Sequence, residues 1–192
     1  NTERLLLANH SLQQLNIIDD HNYKGKLSSV SSFLNNCITS IGMRSFKNTI
    51  LNPTTNVVNL ERNYDITEYL LKTEHWKTWR TQLKNIKDIE KLNRQIYMKK
   101  ITPFHLFSFY ENLSTIQMLF NSVEQDECLQ KHFNPDIEMN ISLICDIFRK
   151  IFDKTFLIEE CSEINTLDTD RNFIKSGVNK ELDEVVELYQ NS

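Results

Sequence analysis

Three glycines and three prolines are all the backbone punctuation this chain of 192 residues carries. A many-stranded sheet needs a tight turn between most neighbouring strands, and glycine and proline supply the turn geometries that other residues resist. So sparse a supply points to helices as the repeated element, and the apolar spacing agrees. Between Lys26 and Leu71, apolar side chains fall at Val30, Phe33, Leu34, Cys37 and Ile41, then at Met43, Phe46, Ile50 and Leu51. Intervals of three and four predict two successive helices, each burying one side. Thr39 or Ser40 is placed to cap the second, and Pro53 ends it by removing a backbone donor and restricting Asn52. A third helix starts after Asn56, with Val57, Leu60, Tyr64 and Leu71 pointing inward. Gly42 lies inside a helical pattern where alanine would be favoured, which implies the close approach of another helix. The expected fold class is all-α, an irregular multi-helix bundle, and 40% hydrophobic content over this length supports one sizeable core.

The flanking segments extend the pattern. Ser11 to Leu15 reads as helical or extended, and Asp19 to Lys26 as a polar connection. His75 to Ile86 sets Trp76, Trp79, Leu83 and Ile86 at helical spacing, and Asp88 to Met98 does the same with Ile89, Leu92, Ile96 and Tyr97. The tryptophan pair could stack on bases, but core packing is the expected use. Thr102 is a cap and Pro103 fits the first turn of the next helix, whose apolar residues from Phe104 to Phe120 nearly encircle it. A helix of that kind belongs at the centre of a bundle. Asn134-Pro135 opens another, with Ile137, Ile141, Leu143, Ile144, Ile147, Phe148, Ile151 and Phe152 available for burial. Asp153 to Asn172 is a long acidic connection. Gly177 then permits a turn, Asn179 can cap, and Glu181, Asp183 and Glu184 set negative charge at the positive end of a last helix.

Several chemistries are excluded or weakened by spacing. Gly25-Lys26 lacks the glycine five residues earlier and the hydroxyl residue directly after that a phosphate loop needs, since Asp20 and Leu27 stand there. No apolar run reaches membrane-spanning length. Cys37, Cys128, Cys145 and Cys161 form no Cys-x-x-Cys pair; Cys37 and Cys145 fall on apolar faces, and Cys128 with His132 has no second close pair to complete a zinc site. Reduced thiols fit better than a disulfide framework. His105 has no partner at catalytic spacing and reads as a packing histidine. The net charge of −4 divides unevenly: residues 1 to 100 hold 15 Lys/Arg and 9 Asp/Glu, the remainder 7 and 17. Solvated helix faces in both halves are the expected reading, ahead of a nucleic-acid-facing basic half.

Three stretches, in order, carry a family resemblance. The first is Thr39, Gly42, Arg44, Phe46, Leu51 and Pro53, followed by a helix around Glu61; Thr49 and Thr54 stand where an aromatic and an apolar residue are usual. The second is Asp88-Ile89-Glu90-Lys91-Leu92 with Arg94, followed by Thr102 and Pro103. The third is the run from Phe173 to Glu184, with Gly177, Asn179, Glu181, Leu182 and Asp183. Together they resemble the first half of the core, or lever, domain of the MutS family of DNA mismatch-repair proteins, up to the start of the DNA clamp. The resemblance implies a helical lever over residues 1–172, and over 173–192 a connection and the start of a long exit helix. It implies no catalytic, cofactor-binding or metal residue in this segment, with ATP and Mg expected in a full-length DNA-dependent ATPase. Duplex DNA bound through the rest of the protein and a homo- or heterodimer follow from the same likeness; no membrane is expected from the lack of a long apolar run, and an intracellular location from the reduced thiols. Asn1 in place of methionine suggests an excised segment. The alternatives are a free-standing helical protein-protein adaptor, which would fold and bind by itself, and a nucleic-acid-binding helical module, whose affinity would fall steeply with salt.

Overall fold

The structure is a computed structural model that describes residues 4–5, 7–19, 25–153 and 172–191. Its described residues are helical, with two isolated bridges and no strand. The chain divides into two compact units, Asn1–Asp88 and Ile89–Ser192.

In the first unit, α1 (Asn9–Gln14) settles the open reading of its segment as helical and buries Leu12. Asn16 takes a left-handed conformation after it, and the carbonyls of Asn16 and Ile17 accept the Val30 and Ser31 amides. Those bonds fix the start of α2 (Val30–Leu34), which the Ser29 hydroxyl caps. The helix predicted to run to Ile41 ends at Leu34. Asn35 turns its side-chain carbonyl onto the Cys37 amide, the local competition by which asparagine breaks helices. Cys37 therefore sits in a connection, not on a helical face. α3 (Ser40–Leu51) begins at Thr39, whose hydroxyl accepts the Gly42 amide, and stops before Pro53 as expected.

α4 (Val57–Thr73) is capped by Asn56. Its inward face differs from the expected one: Val57, Tyr64 and Leu71 are exposed, while Leu60, Ile66, Tyr69 and Leu70 are half-buried. Two apolar stripes overlap on this helix, and periodicity alone does not choose between them. Glu74, with φ of 58°, reverses the chain into α5 (His75–Leu83), which packs on α4. None of α3, α4 and α5 fully buries a residue. An Arg4–Thr54 bridge, with the Leu5 amide on the Pro53 carbonyl at 2.9 Å, ties the start of the chain to the α3–α4 link.

The second unit holds the hydrophobic core. It contains α6 (Ile89–Tyr97), α7 (Pro103–Glu124), α8 (Glu127–Gln130), α9 (Pro135–Ile151) and α10 (Lys180–Gln190). Leu92, Phe109, Tyr110, Leu113, Ile141 and Cys145 form the buried cluster, with Ile89, Ile96, Phe107, Ile116, Phe120 and Phe148 against it. α7 packs on α6, α8 and α9, the central place its apolar girdle predicted. The girdle is incomplete, because Met118 is exposed. Tyr97 on α6 is also exposed, as are Ile137, Leu143, Ile144 and Ile147 on α9, so α9 buries only one of its apolar stripes. Most of the acidic connection predicted between Asp153 and Asn172 lies outside the described residues. Its two ends meet: Phe152 and Ile174 form a bridge, the Asp153 amide donates to the Phe173 carbonyl at 3.2 Å, and the Lys175 amide to the Ile151 carbonyl at 2.9 Å.

Candidate functional site

Arg44 and Asp88 are 44 residues apart in sequence, and the fold brings them into a two-pronged ion pair. The Arg44 guanidinium donates through Nη1 to Asp88 Oδ2 at 2.7 Å and through Nη2 to Oδ1 at 2.9 Å. The side chains are 47% and 23% exposed, so the pair fixes geometry more than it stabilises, at about 1 kcal/mol or less. It ties α3 to the residue that closes the first unit. Gly42, two residues before Arg44, corrects an expectation. A Cβ there would meet Thr39 Oγ1 at 2.9 Å and Cys37 Cβ at 3.4 Å, so its close neighbours are its own helix cap and the preceding link, not another helix. Pro53 ends α3 and lends its carbonyl to Leu5.

Glu90 lies in the first turn of α6 and Arg94 in its last, each at the end where its charge suits the helix dipole. Pro103 is buried in the first turn of α7 beside its cap, Thr102. The Thr102 hydroxyl accepts the His105 amide and lies 2.7 Å from His105 Nδ1, which accounts for that histidine structurally.

The exit turn gathers most of the remaining predicted residues. Gly177 has φ of +87°, and its amide donates to Asp183 Oδ2 at 2.8 Å. Asn179 Oδ1 accepts the Leu182 amide at 3.2 Å, making Asn179 the N-cap of α10, with Glu181 and Asp183 in the first turn. Asp183 thus does more than the dipole role read from sequence: it reaches back across six residues and closes the turn. Upstream, Lys175 Nζ donates to the Arg149 carbonyl at 2.8 Å, and the Phe152 and Phe173 rings lie 5.9 Å apart. Arg149 Nε in turn donates to the buried Tyr110 hydroxyl at 3.2 Å, and that bond raises the pKa of the guanidinium further. A continuous set of polar contacts therefore runs from the core helix α7, through the end of α9, to the turn that starts α10.

One polar cluster escaped the sequence reading. The hydroxyls of Ser28, Ser29 and Ser32 all donate to Asp19 Oδ1, at 2.5, 2.6 and 2.7 Å. These bonds, Ser28 first, hold the Asp19 carboxyl at about 2. The visible signal was the run Ser28-Ser29-Val30-Ser31-Ser32, two hydroxyl pairs ahead of an apolar stripe. Among the described residues no three His, Cys, Asp or Glu side chains gather as metal ligands. A small cavity of about 120 Å³ between α7, α8 and the start of α9 is lined by Phe120, Val123, Glu124, Gln130, Phe133, Asn134 and Pro135. It offers no nucleophile and no paired acid and base. No described helix is long and apolar enough to cross a membrane.

The described residues form a helical domain whose marked positions sit at helix joints, in an ion pair, caps and a closed turn. Residues 10–190 match the family described as MutS domain III, and the chain belongs to that family. It is 31% identical over 191 residues to a DNA mismatch repair protein mutS homologue of Acanthamoeba polyphaga mimivirus, covering 96% of this chain and 17% of that protein. Identity to the DNA mismatch repair protein MutS of Petrotoga mobilis is 26%, covering 97% of this chain and 22% of the relative. To MutS of Fusobacterium nucleatum it is 25%, covering 96% and 20%. The chain thus spans about a fifth of the length of these curated relatives.

Proposed function

We propose that this segment is a mechanical lever within a MutS-type DNA mismatch-repair protein, joining a DNA clamp to an ATPase domain. The observation that carries the reading is the exit turn. α10 leaves the core through a closed turn, Gly177 to Asp183, pinned by Lys175 to the end of α9. A helix rooted in that way transmits a change of angle at its far end to the core instead of absorbing it in a loose linker, and such coupling amounts to roughly 1 to 3 kcal/mol between sites. On this reading residues 1–172 form the lever and residues 173–192 the connection and exit helix. Full-length function then includes binding duplex DNA as a dimer, with ATP and Mg held outside this segment and an intracellular place of work. No residue of this segment performs chemistry.

Nucleotide binding tests the division of labour. Residues 1–192 alone should bind no ATP, while the full-length protein hydrolyses Mg-ATP in a DNA-dependent manner. Saturable binding of micromolar ATP by the segment, or a full-length protein without ATPase activity, would overturn the reading.

A further inference from the structure

The two tryptophans of α5 have separate fates. Trp79 is half-buried, with its ring 6.1 Å from that of His75. Trp76 is 40% exposed, contrary to the packing role expected for the pair. Around it the helix is basic. From His75 to Lys87 there are four Lys/Arg and no Asp or Glu. At 3.6 residues per turn, Trp76, Arg80 and Lys84 follow one another at intervals of four, with Lys77 alongside, all within about 100° of one helix face and about 12 Å of its length. Lys77, Arg80 and Lys84 are all exposed. Arg80 donates to the neutral Asn36 carbonyl at 2.7 Å, which leaves its charge uncompensated. Lys77 has its Nζ 5.8 Å from the centre of the Trp76 ring, and its ion pair with Glu74 is 54% and 62% exposed, so water or a phosphate can replace the carboxylate.

We infer that this face of α5 is a contact surface for single-stranded nucleic acid. A row of cations that follows a phosphate backbone, beside an aromatic face on which a base can stack, is the combination that sequence-tolerant strand binding uses. The strand is single because a base must leave its own stack to cover the indole, whereas a duplex offers Trp76 only phosphate and sugar. None of its residues belongs to the exit turn on which the lever reading rests.

The test is a titration of the chain with a fluorescein-labelled oligothymidylate of about 12 nucleotides, within the usual site size, beside a duplex of equal length. With three cations engaged, log affinity should fall against log salt with a slope of about −2, a loss of roughly twentyfold between 50 and 200 mM. Trp76→Ala should weaken single-strand binding at least about fivefold and Trp76→Phe should recover most of it, while Lys84→Ala reduces the slope by about 0.7. Circular dichroism establishes that each variant keeps its helix content. In the full-length protein, an oligonucleotide bearing 5-iodouracil should photo-crosslink to Trp76, as mapped by mass spectrometry. Duplex binding equal to or tighter than single-strand binding overturns the inference. So does a Trp76→Ala variant with unchanged affinity, or no crosslink at Trp76. Polyglutamate competing as well as oligothymidylate would assign the face to an acidic protein partner instead.

Discussion

Replacing Gly42 by alanine should change stability very little, for a reason that a second substitution exposes. Alanine is favoured over glycine in a helix by about 0.8–1 kcal/mol. The new Cβ would stand 2.9 Å from Thr39 Oγ1, the hydroxyl that accepts Gly42's own amide at 3.0 Å. That hydroxyl turns on one torsion, and moving it away breaks the cap, at a cost of about 1 kcal/mol. Gain and loss nearly cancel in the native background. Thr39→Ala removes both the cap and the obstruction, so it should cost about 1 kcal/mol alone, and Gly42→Ala made on top of it should recover about as much. The pair therefore carries a coupling of about 1 kcal/mol, well above the roughly 0.3–0.5 kcal/mol within which independent sites add. Urea unfolding of the four proteins, followed by helical circular dichroism, measures it. A coupling under about 0.3 kcal/mol would refute the clash with the cap. Destabilisation above about 2 kcal/mol in both backgrounds would instead restore the sequence-based view that another element presses on this glycine.

The aromatic cluster gives a larger effect: Phe148 stacks on Tyr110 at 5.7 Å and meets Phe109 and Phe152, so Phe148→Ala should cost about 2–3 kcal/mol, and a loss below about 1 in the same assay would discount the cluster. Cys145 is fully buried, which pushes its thiol pKa up, whereas Cys128 is exposed; peptide mapping after a brief native treatment with a maleimide should find Cys128 modified and Cys145 untouched until the chain is unfolded. The Asp19 carboxyl is depressed from 3.8 to about 2 by its serine donors, so its contribution to stability is present above about pH 4 and lost as pH falls through about 2. Asp19→Asn should accordingly be less stable than the native chain near pH 6 and should lose less on acidification; parallel acid profiles for the two would remove the hydroxyl cluster as a stabilising element.

Helix existence was legible wherever a cap and a stop stood at the right distance. Thr39 and Pro53 bracket α3, Asn56 starts α4, Thr102-Pro103 starts α7, Asn134-Pro135 starts α9, and Asn179 starts α10. Each is a local backbone requirement, readable from a few adjacent residues. Burial was less legible because it depends on what lies opposite. α4 carries two overlapping apolar stripes, and nothing local says that Leu60, Ile66 and Leu70 turn inward while Tyr64 and Leu71 do not. Arg44 and Asp88 were visible as positions but not as a pair, since a contact across 44 residues is made by the path of the chain. The Asp19 cluster was missed for a related reason: its serines follow the carboxylate by nine to thirteen residues, beyond the reach of any local turn pattern.

A lever must pass energy through its exit turn, and DNA-stimulated ATPase of the full-length protein measures that passage directly. Gly177→Ala forces a side chain into φ of +87°, where no neighbour within 4 Å presses on it, so the damage is confined to the turn's conformation. Asp183→Ala removes the bond from the Gly177 amide that closes the same turn. Both variants should keep basal ATP turnover and DNA affinity, and lose at least about threefold in stimulation, a modest part of the 5- to 150-fold that a coupling of 1–3 kcal/mol represents. Stimulation unchanged in both, with hydrogen exchange showing the turn loosened, would contradict the lever.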